Sequence, residues 1–274
     1  MQAQQAYVLG HSERELRRLT QQARRIDPIT RRFLREAGIA HGMRVLDVGT
    51  GVGNVAFLAA ELVGAAGEVV GVDRAEAALA VARARAAERG LAQVSFFQGD
   101  AAELRFERPF DAVIGRYVLM FQPDPVAVLR RLAGHLGAGG LVVFHEIDWE
   151  GARSYPPVPS YDRCSRWIVE TLGAYGHETR MGVKLHAAYR AAGLPAPAMQ
   201  SMEVIGGGAD AIEEIELITD AIGTTLPEME RLGIATAAEV DPATLTERIR
   251  GEIAARESVI VGRSEIGAWA RLPR

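Results

Sequence analysis

The chain has 274 residues, 48% hydrophobic and 24% charged, which suits one large core with appended elements. A formal net charge of −4 argues against a dedicated nucleic-acid binder, and no apolar run approaches the roughly 20 residues of a membrane span. A polar start and a single cysteine, Cys164, exclude an intrachain disulfide and make a cytoplasmic location the simplest expectation.

Residues 1–42 read as an N-terminal helical cap. Ser12 followed by Glu15 is a capping-box pattern, so a helix is expected from about Glu13. Pro28 suits the first turn of a second helix that stops at Gly38. Residues 43–150 alternate strand and helix five times, which predicts a parallel sheet covered by helices on both faces. The helices are expected near 54–63, 75–89 and 124–136, and a Gly137-Ala138-Gly139-Gly140 turn precedes the fifth strand.

Residues 151–274 are less regular. Tyr155 to Pro159 reads as a stiff linker, with helices over Tyr161 to Tyr175 and Gly182 to Ala192. Ala198 to Ile205 reads as a sixth strand and Glu265 to Leu272 as the last. Between them, a Gly206-Gly207-Gly208 break leads into a mainly helical stretch interrupted at Pro227 and Pro242.

The stretch Val45-Leu46-Asp47-Val48-Gly49-Thr50-Gly51-Val52-Gly53 carries the most chemistry. It is a buried strand entering a glycine loop, followed by a helix from Asn54 to Val63. Glycines let the chain turn sharply and let a ligand approach the main chain, while the helix start offers unpaired N–H groups. A dinucleotide fingerprint would need a third glycine where Asn54 stands, and the lysine of a P-loop is missing. The second strand ends in Asp73, the third runs into Asp100-Ala101, the fourth precedes Arg116, and the fifth ends in His145-Glu146.

The D-x-G-x-G-x-G loop with these acidic strand ends resembles class I S-adenosylmethionine (SAM) methyltransferases of the small-molecule type, across roughly residues 43–150. The resemblance implies an α/β fold with a Rossmann-like, seven-stranded, mostly parallel sheet, helices on both faces and added helical lid elements. It implies SAM as cofactor. Gly49, Thr50, Gly51 and Gly53 would run along its aminocarboxypropyl arm, with Asp47 orienting that arm or bonding loop N–H groups. Asp73 would bind the ribose hydroxyls, Arg74 would cover the adenine, and Asp100 and Ala101 would bond its edge. Arg116 would either lie near the methionine end or form a structural ion pair. Tyr7 and Gln22, in a segment like those that close over the cofactor, are further expected contacts.

The function implied is methyl transfer to a small-molecule acceptor, such as a secondary metabolite or a quinone-like compound. A hydroxyl acceptor calls for a general base. The candidates are His145, Glu146 and His11, in that order, whereas carbon or nitrogen acceptors can do without one. No metal is assigned, because Asp148 and Glu150 are isolated acidic residues. The fourth strand is followed by Gly115-Arg116-Tyr117-Val118, not the motif expected of a DNA amino-methyltransferase. The alternative of a different class keeps the fold and binds SAM without methylating. Residues 1–25, 155–177 and 206–257 are expected to enclose the acceptor, with a homodimer contact as the competing use of their apolar faces.

Overall fold

Short β-branched runs alternate with alanine-rich helical stretches, and that alternation dictates crossover connections between parallel strands. The computed structural model describes the backbone from residue 13 and the side chains from residue 25, apart from that of residue 209. The elements are α1 (Glu13–Ala37), β1 (Arg44–Val48), α2 (Asn54–Val63), β2 (Glu68–Asp73), α3 (Glu76–Glu88), β3 (Val94–Gln98) and β4 (Phe110–Arg116). They continue with α4 (Pro125–Ala133), β5 (Leu136–Asp148), β6 (Arg153–Tyr155), α5 (Pro159–Ala174), α6 (Met181–Ala191), β7 (Ala198–Met202) and β8 (Ile205–Gly207). The last are α7 (Ile212–Leu232), α8 (Ala237–Val240), α9 (Leu245–Arg256), β9 (Val259–Val261) and β10 (Ser264–Arg271).

Seven strands form one sheet in the order β3-β2-β1-β4-β5-β10-β7. β1 pairs in parallel with β2 and β4, β2 with β3, and β4 with β5. β10 runs against β5, since Leu272 N–H donates to Gly140 O and Gly139 N–H to Pro273 O. The expected seven-stranded, mostly parallel sheet is therefore present. Strand order reverses between β1 and β4, and such a switch opens a crevice at the carboxyl ends of the strands.

The chain forms two units. One joins residues 13–146 to Gly182–Ser201 and Ile266–Arg274 and holds the large sheet. Its core packs Val45, Ala56, Leu58, Val69, Leu79 and Ile114 between helix and sheet. Tyr189 is fully buried here, and its hydroxyl donates to Ala268 O at 3.0 Å. Tyr189→Phe is expected to lower stability by about 0.5–1.5 kcal/mol, read as a shifted urea midpoint. The other unit comprises Ile147–Met181 and Met202–Glu265. It contains a small antiparallel sheet in the order β6-β9-β8 beside α5, α7 and α9.

Several boundaries differ from those expected. α1 runs through Pro28 as one helix, because Ile26, Ile29, Phe33, Leu34 and Ala37 bury one continuous stripe that offsets the roughly 3 kcal/mol cost of an interior proline. α7 likewise continues through Pro227, with Ile222, Thr225 and Met229 buried around it. The Gly137–Gly140 stretch is no free turn. It is an irregularity inside β5, whose pairing with β4 steps from Phe110↔Leu136 to Ala112↔Leu141. The sixth strand stops at Met202, and Ile205–Gly207 crosses to the small sheet. Among the described residues no helix is long and apolar enough to cross a membrane.

Candidate functional site

The carboxyl ends of β1, β2 and β3 lie side by side, with Asp47 level with Gly71 and Asp73 level with Gln98. The loop after β1 holds Gly49, Gly51 and Gly53 at φ of 63°, 53° and 84°, a region closed to most side chains. A Cβ on Gly51 would meet nothing within 4 Å, so the loop presents bare backbone to open space there. The loop is tied down from both sides. Thr50 N–H donates to Val72 O at 3.0 Å, and Gly51 N–H donates to Asp73 Oδ2 at 2.8 Å. Asp73 Oδ1 accepts from Ala75 N–H at 2.9 Å, so this carboxylate also fixes the turn that leads into α3. Arg85 braces the far end of the loop through Val52 O and Asn54 Oδ1, at 2.6 and 2.8 Å.

Asp47 is buried beneath the loop. Its Oδ2 accepts from the Thr50 hydroxyl at 2.6 Å, while its Oδ1 is buried with no hydrogen-bond partner. Burial pushes this carboxyl up to about 7; the Thr50 hydroxyl, Arg116 and, weakly, the nearby Ala56 N–H act against the rise, and Asp73 adds to it. An unpaired, buried carboxylate oxygen is costly unless a donor arrives. Asp100 sits at the next strand end, bonded to Arg74 and accepting from Ala102 N–H at 2.9 Å. Burial alone would raise the pKa of Asp100, but Arg74 and the Ala102 N–H outweigh it and hold the group below the usual carboxylate range. Ala101 is buried, with its carbonyl 2.8 Å from His135 Nε2.

A second constellation lies where β4 and β5 end. Arg116 donates to Asp27 Oδ1 and to Thr30 Oγ1, both at 2.8 Å, and Thr30 Oγ1 stands 3.0 Å from His145 Nδ1. Of the two roles open to Arg116, its side chain takes the structural ion pair. His145 is 2% exposed and lies edge-on to Phe33, with ring centroids 5.0 Å apart. Glu146 is fully buried and accepts the N–H groups of Val118, Leu119 and Met120 at 2.9, 2.7 and 3.4 Å. Both side chains are buried and engaged in these contacts. Tyr7 and His11 lie outside the described residues, as does the side chain of Gln22. Asp27 and Thr30 escaped sequence reading because their partner Arg116 is 89 and 86 residues away, with no local signal.

The family described as "Methyltransferase domain" matches residues 39–171. The ubiquinone biosynthesis O-methyltransferase of Bordetella avium is 30% identical over 181 residues, 65% of this chain and 73% of that protein. The chain belongs to the class I SAM-dependent methyltransferases. The aklanonic acid methyltransferase of Streptomyces sp. (strain C5) is 42% identical over 118 residues, 43% of this chain and 54% of that protein. This methyltransferase-family chain thus spans about half the length of several curated relatives it matches. In fold it resembles a phosphoethanolamine N-methyltransferase 2 of Haemonchus contortus, with a TM-score of 0.57 and 20% identity, covering 90% of this chain and 53% of that one.

The residues present fit the family's cofactor. The unpartnered Asp47 Oδ1 suits a cationic donor, and the open backbone at Gly51 leaves room for a chain to lie along it. Gly49, Gly51 and Asp47 would hold the amino-acid end, Asp73 the ribose, and Arg74, Asp100 and Ala101 the adenine.

Proposed function

We propose that the chain transfers a methyl group from SAM to a small-molecule acceptor of the quinone-like or secondary-metabolite class. The observation that carries this is the loop after β1, whose open backbone lies between a half-satisfied buried Asp47 and a loop-bound Asp73. The acceptor class follows the names of relatives, one acting on aklanonic acid and one in ubiquinone biosynthesis.

SAM brings the activated methyl on its sulfonium, so the chain's contribution is to bind, orient and exclude water. The glycine loop fixes the amino-acid end, and the strand-end carboxylates fix the nucleoside. The Arg116–Asp27–Thr30 cluster holds α1 against the ends of β4 and β5. No proton transfer is assigned to His145 or Glu146.

The test is S-adenosylhomocysteine release, followed by mass spectrometry, against a panel of hydroxylated quinones and aromatic polyketides with DNA, RNA and protein as parallel acceptors. Turnover with a small molecule is the expected result. Methyl incorporation confined to a macromolecule would overturn the acceptor class, and no release with any acceptor, despite tight SAM binding, would favour a non-methylating role.

A further inference from the structure

Glu146 is a carboxylate with no exposed surface, at the end of a central strand. Three consecutive backbone N–H groups, those of Val118, Leu119 and Met120, converge on its two oxygens. The turn they belong to is set further from both sides. Tyr117 holds φ at 56°, an uncommon conformation for a bulky residue, with its N–H donating to His145 O at 2.9 Å. The carbonyl of Val118 accepts from the Gln122 side chain at 3.3 Å. A strained residue persists only where its surroundings over-determine it.

The turn delivers the Val118 side chain to the glycine loop. A Cβ built on Gly49 would lie 2.8 Å from Val118 Cγ2, so the isopropyl group rests directly on the Gly49 backbone. Gly49 itself stands at φ 63° and opens the loop above Asp47. A continuous path of contacts therefore runs from the Glu146 carboxylate through the turn and Val118 to the loop.

We infer that Glu146 is a positioning residue for the cofactor loop, acting through Val118 on Gly49; the inference rests on reading that loop as the SAM site. Glutamine in its place keeps the shape but sets an N–H₂ donor against backbone donors, so one of the three would lose its acceptor. Removing the isopropyl group of Val118 leaves the carboxylate and its N–H groups intact and takes away the buttress alone.

Calorimetric titration of the full chain with S-adenosylhomocysteine separates the outcomes, using wild type, Glu146→Gln, Val118→Ala and the double variant. The expected result is that each single variant binds roughly tenfold more weakly with unchanged circular dichroism, and that the double variant is little worse than the weaker single one, because the two lie on one path. Unchanged affinity in Val118→Ala overturns the path, and it does so even if Glu146→Gln fails to fold. A fall in Tm with unchanged affinity makes Glu146 structural only. In the S-adenosylhomocysteine-release assay with an acceptor that wild type methylates, a collapse of kcat in Glu146→Gln at unchanged affinity makes it a base. Wild type that does not bind S-adenosylhomocysteine removes the cofactor reading itself, and this inference with it.

Discussion

Asp73→Ala is expected to weaken S-adenosylhomocysteine binding by about a hundredfold or more. The Asp73 carboxylate spends two acceptor positions on Gly51 N–H and Ala75 N–H. An ionised carboxylate offers about four, which leaves two for ribose hydroxyls. Each hydrogen bond to a charged group is worth roughly 1.5–3 kcal/mol, so losing the pair sets the scale at about 3 kcal/mol or more. The alanine variant also frees the Gly51 N–H, which loosens the loop before any ligand arrives. Asp73→Asn separates the two effects, because one side-chain oxygen remains to accept while the charge is gone; its affinity should fall between wild type and alanine. Calorimetry provides the measurement and circular dichroism the check on folding. Wild-type affinity in Asp73→Ala would reject the ribose assignment.

What could be read from the sequence divides along physical lines. The glycine loop and Asp73 were legible because each follows a run of four buried, mostly apolar residues, which marks a strand whatever surrounds it, and Asp100 because it follows the short β-prone run Val94–Gln98. α2 was legible to its first and last residue because Gly53 and Gly64 punctuate it. Prolines misled. Pro28 and Pro227 argue locally for helix breaks, yet both lie within helices whose buried stripes outweigh them. The small sheet was illegible for a different reason. Strands of three residues, such as Arg153–Tyr155 and Val259–Val261, leave no alternation to detect, and their partners lie about a hundred residues apart.

The same contrast holds within the site. Asp47 was visible as a carboxylate before a turn, but the sequence could not say that one oxygen would be satisfied by Thr50 and the other by nothing. Glu146 was visible as a polar residue ending a strand, and chemistry made it a candidate base. It accepts from three N–H groups 26 to 28 residues earlier, presented by a turn after a different strand. Residue type and element end were readable; the acceptor-donor accounting between elements was not, because it depends on the register of β4 against β5.

Asp47→Asn is expected to stabilise the ligand-free protein in alkaline solution while weakening cofactor binding. Burial holds the folded carboxyl near 7, against an ordinary value of 3.8. Between those values the folded chain carries a proton on Asp47 that the unfolded chain has released. Folding therefore takes up a proton, and stability falls as pH rises from about 4 to about 7. At about 1.4 kcal/mol for each pKa unit, the penalty above pH 7 is on the order of 4 kcal/mol. Asparagine never ionises, so it escapes that penalty, although its amide brings an unsatisfied donor that costs about 1–3 kcal/mol. The net gain should be about 1–3 kcal/mol at pH 8, and it should vanish or reverse near pH 4. Cofactor binding runs the other way. A cationic ligand beside Asp47 favours the carboxylate, so SAM binding should release a proton and tighten as pH rises towards 7. In Asp47→Asn that dependence should flatten, with affinity low throughout. Urea unfolding at pH 5 and pH 8, paired with SAM titrations across the same range, measures both sides. If the variant were less stable than wild type at pH 8, or if its SAM affinity followed the wild-type pH profile, the buried carboxylate would not be the group that couples folding to cofactor binding.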